Sequence, residues 1–178
     1  MAETKQDLLC ASLAVLVDVA NDAKRADQEI MYSKVLSSVL TSMEVWSETR
    51  LLDYHERFHK GAVGLMENLL PFALSVAKIL DEDISNLERG DRVEDSAGSR
   101  VDYFIKSSMR NAFSKMLEIG GNSKIVEAED EESSEGILQL SKETEELASK
   151  EKENFSPILN RWHPIVAGVA AMTLHNCY

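Results

Sequence analysis

Residues 27–60 contain neither glycine nor proline, and this uninterrupted stretch limits what the chain can fold into. Apolar residues recur along it at helical spacing in two stripes. The first consists of Met31, Val35, Val39, Met43 and Trp46, and the second of Leu51, Tyr54, His55 and Phe58. The step from Trp46 to Leu51 turns the apolar face by about 140°. The sequence therefore predicts one helix over 27–60, about 50 Å long, whose two halves meet different neighbours.

The composition of the whole chain also favours helices. Its 178 residues include only 8 Gly and 3 Pro, few for an all-β fold with its many turns. Helix-forming Ala, Leu, Glu and Lys are abundant. A chain of this length fits one domain. We therefore predict an all-α fold, a single helical bundle over residues 1–178 that is elongated like a rod.

Further apolar patterns predict helices on both sides of this stretch. The segment 4–25 is apolar around much of its axis, so we expect it deep in a bundle. The pattern over 66–84 is helical, and Pro71 should kink or restart that helix. The polar segment 88–98 is typical of a loop. A helix capped by Ser99 should follow and stop at Gly120-Gly121.

The last third of the chain combines an acidic segment with helical patterns. Residues 122–135 are dense in Glu and Asp and nearly free of large apolar groups, so we expect a mobile loop. An amphipathic helix follows over 137–148. Ser156-Pro157 should start another helix, and Pro164 should break or bend it. The chain ends at Tyr178 within an apolar helical pattern, from which we expect a piece of a longer protein.

Charge and apolar segments indicate the compartment and the partners. The net charge of −12 repels nucleic acids and anionic lipid surfaces. Asp18 interrupts the N-terminal apolar stretch, which argues against a signal peptide. The apolar run 165–174 is short of the roughly 20 residues that cross a bilayer. Lone Cys10 and Cys177 suit a reducing compartment. We expect a cytoplasmic protein without a transmembrane segment.

The sequence His55-Glu56-Arg57-Phe58-His59 matches H-E-x-x-H, in which two histidines one turn apart bind zinc and the glutamate activates water. The Gly and His that extend the motif in one protease class would stand where the chain has Ala62 and Leu65. The competing interpretation is a partly exposed helix face with Tyr54 and Phe58 packed inward. We favour the latter and predict no metal site.

Other catalytic patterns are missing from the sequence. Gly90, Gly98 and Gly120-Gly121 fit neither a P-loop nor a dinucleotide fingerprint. The serines near His163 and His175 show no nucleophile-elbow pattern. The sequence therefore predicts no catalysis and no cofactor.

One helix has a basic side within this acidic protein. Its members are Arg100, Lys106, Arg110 and Lys115. An acidic partner helix or a lipid head group could dock there. A solvated face with local ion pairs is the more common arrangement. These four residues are nevertheless the candidate partner-binding site.

The stretch 155–171 (FSPILNRWHPIVAGVAA) resembles the MUN domain of vesicle-trafficking proteins, and most closely the plant proton-ATPase translocation control proteins. The segments 46–59, 77–85 and 100–113 are also similar. The resemblance implies part of an elongated helical domain of the tethering-complex type. It implies a non-enzymatic role in exocytosis through SNAREs, the exocyst or other tethering subunits. It further implies delivery of membrane proteins such as a proton pump to the plasma membrane, with peripheral membrane association through partners.

Overall fold

The computed structural model describes residues 11–12, 14–15, 18, 30–58, 62–85, 96–122 and 131–177. Every regular element in these ranges is helical, and none is a β-strand. The predicted all-α fold is therefore confirmed. The helices are α1 (Ile30–Leu51), α2 (Tyr54–Arg57), α3 (Val63–Ser85), α4 (Ser96–Asn122), α5 (Glu131–Lys150), a π-helix (Glu151–Phe155), α6 (Ser156–Leu159) and α7 (Val166–His175).

Contacts within the chain group into two compact units. The first contains the described residues up to Leu51 and those from Phe58 to Arg100, and the second contains Leu52–Arg57 and the residues from Val101 onward. The single bundle expected over 1–178, as part of a larger MUN domain, stays a prediction.

In the first unit, α1 packs against α3, which supplies most of the core. Its buried residues include Met66, Leu69, Leu70, Phe72, Val76 and Ala77. Of the kink or restart expected at Pro71, the restart does not occur, because α3 continues through this residue; the kink stays a prediction. A proline inside a helix costs about 3 kcal/mol, and burial of the side chains on both sides of it offsets that cost.

The segment Val63–Asp81 is long and apolar enough to span a membrane, the one such segment in the described part of the chain. Half of it is buried inside the protein. Its apolar character is thus accounted for by its position in the core of the first unit.

The prediction of one helix over 27–60 is wrong toward its C-terminal end. Helix α1 ends at Leu51, a turn follows at Leu52 and Asp53, and α2 starts at Tyr54. The carbonyl oxygen of Asp53 accepts the backbone N–H groups of Glu56 and Arg57 at 3.3 and 3.2 Å. The break coincides with the change of apolar face in the sequence. It lets Leu51 bury its side chain in the first unit and Tyr54 in the second.

Helix α4 is longer at both ends than expected. It begins at Ser96, inside the predicted loop 88–98, and continues to Asn122 through Gly120-Gly121. A glycine in a helix costs only about 1 kcal/mol relative to alanine, so two glycines in a last turn need not end it. Residues 88–95 lie outside the described residues.

The acidic segment 122–135 is described only at its ends. Helix α5 begins at Glu131, so the last five residues of the predicted loop are helical. Glutamates are stabilised in a first helical turn because their charge faces the positive end of the helix dipole. Residues 123–130 and the expected mobility lie outside what the structure describes.

The N-terminal helix predicted over 4–25 lies largely outside the described residues. Its described residues are helical, and Ala11, Ala14, Val15 and Asp18 are all exposed. These positions are spaced by three and four, so they share one helix face. The expected deep burial is wrong for this face.

The C-terminal helices begin and end near the predicted residues. Pro157 stands in the first turn of α6, and residues around Pro164 form the turn that separates α6 from α7. The break expected near Pro164 is confirmed. Ser156-Pro157 does not start a separate helix, because the chain is already helical from Glu131 through the π-helix into α6. Trp162 lies in this turn and is 41% exposed.

Candidate protein-interaction site

The four basic residues of the candidate site lie on α4, and most of them face acids of the same chain. Arg100, in the first unit, is bound by three of them. Its Nη1 lies 2.6 Å from Glu48 Oε1 and 3.0 Å from Glu44 Oε1, and its Nη2 lies 3.6 Å from Asp81 Oδ2. Arg100 thus connects the beginning of α4 to α1 and α3.

The side chains of Arg100, Glu44 and Glu48 are partly shielded from solvent. Burial raises the pKa of Glu48 above its ordinary value, and the neighbouring Glu44 charge raises it further. Arg100 opposes both effects by its charge and its hydrogen bond. The guanidinium therefore offsets repulsion between two carboxylates of α1, which is a structural role.

The other three basic residues belong to the second unit. Lys106 Nζ lies 2.5 Å from Asp102 Oδ2, one turn away on α4. Lys115 pairs with Asp53, at 3.3 Å, and with Glu56. Arg110 is exposed and forms no ion pair with any residue that the structure describes. Of the predicted site, Arg110 is thus the residue with its charge most available to a partner.

The structure describes the H-E-x-x-H sequence only as far as Phe58. Helix α2 ends at Arg57, and His59 lies outside the described residues. The His55 imidazole is 3% exposed, whereas the Glu56 carboxylate is exposed and pairs with Lys115. Tyr54 and Phe58 are buried, as the competing interpretation expected.

A buried polar cluster in the second unit surrounds Glu151, the first residue of the π-helix. The Tyr54 hydroxyl donates a hydrogen bond to Glu151 Oε2 at 2.8 Å, and the Ser156 hydroxyl donates to Oε1 at 3.2 Å. His55 Nε2 lies 3.1 Å from Oε2 but forms no hydrogen bond with it. The carboxyl thus joins α2, the π-helix and α6.

Helix α4 holds α2 from the other side. Ser108 Oγ accepts the backbone N–H of His55 at 3.0 Å and lies 2.8 Å from its Nδ1. Asn111 Nδ2 donates to the carbonyl oxygen of Leu52 at 3.2 Å. The Phe155 ring packs edge-on against the rings of Tyr54 and His55, at 4.8 and 5.1 Å between centroids. These contacts fix the short helix α2 in place.

The position of Glu151 in the helical pattern already indicates that its side chain is buried. Glu151 follows Leu140, Thr144 and Leu147 at spacings of four, three and four, so it continues the apolar face of α5. A charged residue in such a position needs a polar partner. Its partner Tyr54 lies 97 residues earlier, and the helical pattern alone does not identify it.

Among the described residues, large apolar side chains are exposed on α1 and at several positions of the second unit. On α1, a groove of about 480 Å³ is lined mainly by Val39, Met43, Trp46 and Phe72 with small serines. The guanidinium of Arg50 lies 4.0 Å from the centroid of the Trp46 ring. In the second unit, Ile137 and Leu138 on α5 and Met172 on α7 are each more than half exposed.

The described residues thus form a helical scaffold held by buried apolar side chains and ion pairs, and comparison with known proteins assigns its family. The family described as UNC13 third domain matches residues 1–90, half of the chain. The chain therefore belongs to the UNC13 family, which confirms the resemblance to the related MUN domain. A protein unc-13 homolog of Arabidopsis thaliana is 28% identical over 146 residues. These residues are 80% of this chain and only 12% of that relative. No solved structure matches the chain.

Proposed function

We propose that the chain is a non-enzymatic module of vesicle trafficking that acts in exocytosis by binding protein partners. The match to the UNC13 third domain carries this proposal. The all-helical architecture supports it, because a helix that is already formed spares the cost of ordering the backbone on binding. The exposed tryptophan on α1 supports it too, since aromatic residues dominate binding energy at interfaces.

We further propose that the partners are SNAREs, exocyst subunits or other tethering subunits. Through them the protein would support delivery of membrane proteins, such as a proton pump, to the plasma membrane. The chain would be cytoplasmic and reach vesicles or the plasma membrane peripherally, through these partners. It would form one helical segment of a larger MUN domain.

Binding of purified SNAREs and exocyst subunits to the immobilised 178-residue chain tests the proposal. We expect at least one of them to bind with a measurable Kd. The opposite outcome is that none of them binds this chain, whereas they bind a longer segment extended to the domain bounds of the Arabidopsis relative. These residues would then form a purely structural spacer.

The contribution of the basic face of α4 is tested by reversing one charge. Arg110→Glu should weaken binding of an acidic partner several-fold, because Arg110 has no described ion pair to break. Lys150→Glu is the matched control, an exposed lysine on α5. Equal effects of both variants would indicate an effect of net charge and would remove the basic face from the proposal.

A further inference from the structure

Helix α4 has a straight row of exposed side chains within the second unit. Tyr103, Arg110 and Leu117 recur every seven residues, close to two helical turns, so they lie on one face. Tyr103 is 60% exposed, Leu117 is 48% exposed, and Arg110 is exposed between them. The three residues, which we call the α4 row, extend over about 21 Å of the helix.

Small side chains lie beside the centre of the α4 row. Ser107 stands three residues before Arg110 and Ser114 four residues after it, so both share its face. Because the distance between packed helices depends on the side chains at the contact, serines here allow a second helix to approach closely. Tyrosine and arginine are also the residue types that are enriched at protein interfaces.

The charge at the centre of the row is available to a partner. Lys106, on the flank of this face, already pairs with Asp102. Glu118 is exposed beside Leu117, eight residues beyond Arg110. Arg110 itself has no ion pair with any residue that the structure describes. The row therefore offers one positive charge between two large, exposed side chains that are mainly apolar.

This order of side chains excludes two other occupants. Pairing the α4 row with the row of a second copy, in either orientation, would set Arg110 against Arg110, and each copy would also bring a net charge of −12. A lipid head group could contact Arg110, but Tyr103 and Leu117 lie about 10 Å to either side of it. A helix is long and straight enough to contact all three.

We propose that the α4 row binds a helix of a partner protein in which an acidic residue stands seven positions from an apolar residue on each side. The acidic residue would pair with Arg110, and the two apolar residues would pack on Tyr103 and Leu117. This inference names the chemistry of the partner and rests on the proposed protein-binding function.

Three synthetic peptides test the proposal. Each is a labelled helix of three heptads with leucine at the first position of the outer heptads, and with alanine and glutamine elsewhere. The first position of the central heptad is glutamate, glutamine or lysine. Fluorescence anisotropy with the 178-residue chain should show that the glutamate peptide binds at least fivefold more tightly than the glutamine peptide, and that the lysine peptide binds most weakly. This order is opposite to the one that the net charge of −12 alone would produce.

Variants locate the binding site. Arg110→Gln should remove the difference between the glutamate and glutamine peptides, whereas Lys150→Gln removes an exposed lysine of α5 and should preserve it. Tyr103→Ser and Leu117→Ser should each weaken binding of the glutamate peptide about tenfold, as truncation of an interface anchor does. Met172→Ser removes an equally exposed apolar side chain from α7 and should change the Kd less than twofold.

Four results would overturn the inference. They are absence of binding of all three peptides, equal Kd values for the glutamate and glutamine peptides, a preference for glutamate that survives Arg110→Gln, or equal effects of Tyr103→Ser and Met172→Ser. Self-association in sedimentation equilibrium that Tyr103→Ser abolishes would instead assign the row to a second copy.

The same variants separate this inference from the proposed function. SNAREs or tethering subunits that bind the chain and its Tyr103→Ser variant equally would use another surface, so the proposed function would stand and the inference would fail. Peptides that bind as expected, while no SNARE or tethering subunit binds, would confirm the recognition by the α4 row and contradict the proposed partners.

Discussion

Tyr54 is fully buried, yet its hydroxyl group lies against the carboxyl group of Glu151. Burial raises the pKa of Tyr54 well above its ordinary value, and the Glu151 charge and hydrogen bond raise it further. The folded protein therefore holds the phenolic proton more tightly than the unfolded chain does. Stability from this effect is complete below the unfolded pKa of about 10 and is lost as the pH rises beyond it.

Replacing this hydroxyl should lower stability in a manner that depends on pH. Tyr54→Phe removes one buried hydrogen bond and should lower the free energy of unfolding by about 1–3 kcal/mol at neutral pH. Above about pH 10 the difference in the free energy of unfolding between wild type and Tyr54→Phe should narrow by up to about 1.4 kcal/mol per pH unit, because only the wild type loses the stability that comes from the raised pKa. Urea unfolding from pH 7 to 11 measures both effects.

Tyr103→Phe is the matched control, because Tyr103 is 60% exposed. It should change the free energy of unfolding by less than about 0.5 kcal/mol. A Tyr54→Phe variant whose difference from wild type stayed constant between pH 9 and 11 would contradict the assignment of the buried tyrosine–carboxyl contact.

A second residue-scale prediction concerns the anchoring of α2. Ser108→Ala removes the acceptor of the His55 backbone N–H and the neighbour of its Nδ1, so it should cost about 1–3 kcal/mol. Ser107→Ala, at a half-buried position on the same helix, should stay within about 0.5 kcal/mol of wild type. Thermal unfolding compares the two, and equal losses of stability would argue against the contact.

At the scale of helices, local patterns predicted which segments are helical but not how tertiary packing adjusts them. Apolar spacing and Pro164 were enough to separate α6 from α7, whereas Pro157 lies where the chain is already helical. Pro71 did not restart α3, because its neighbours are buried on both sides. The break at Leu52 and Asp53 depends on α4, where Asn111 bonds the turn from 59 residues away.

The same limit applies to the candidate site. The sequence showed that Arg100, Lys106, Arg110 and Lys115 are basic, but ion pairs with distant acids decide which charges are available. Arg100 meets Glu44 and Glu48 more than 50 residues before it, a pairing that no local pattern encodes. Charge alone therefore does not distinguish Arg110 from the other three basic residues. The fold is needed to show which of them already pair with acids of the chain.

Helix α7 offers a prediction at this scale. A Cβ atom added at Gly168 meets nothing within 4 Å, so Gly168→Ala should stabilise the protein by about 0.5–1 kcal/mol through lower chain entropy in the unfolded state. Ala171→Gly, one turn further on the exposed side, should destabilise by a similar amount. Urea unfolding of both variants measures the effect. Destabilisation by Gly168→Ala would mean that close packing at this position requires glycine.

At the scale of the whole molecule, net charge constrains how a UNC13-family chain can reach a membrane. A charge of −12 creates a field that repels anionic lipids over about 8 Å at physiological salt. The apolar helix α3, which has the length to span a bilayer, is half buried in the protein. Both features favour attachment through proteins over direct contact with lipid.

We therefore expect that the 178-residue chain does not bind anionic lipid in preference to neutral lipid. In co-sedimentation, vesicles containing phosphatidylserine should bind no more of it than neutral phosphatidylcholine vesicles, at low and at physiological ionic strength. The comparison is sharpest at low salt, because weak screening there strengthens repulsion and would equally strengthen any attraction by a basic face. Binding to phosphatidylserine vesicles that falls with added salt and is lost in Arg110→Glu would instead show that the basic side of α4 contacts the membrane directly.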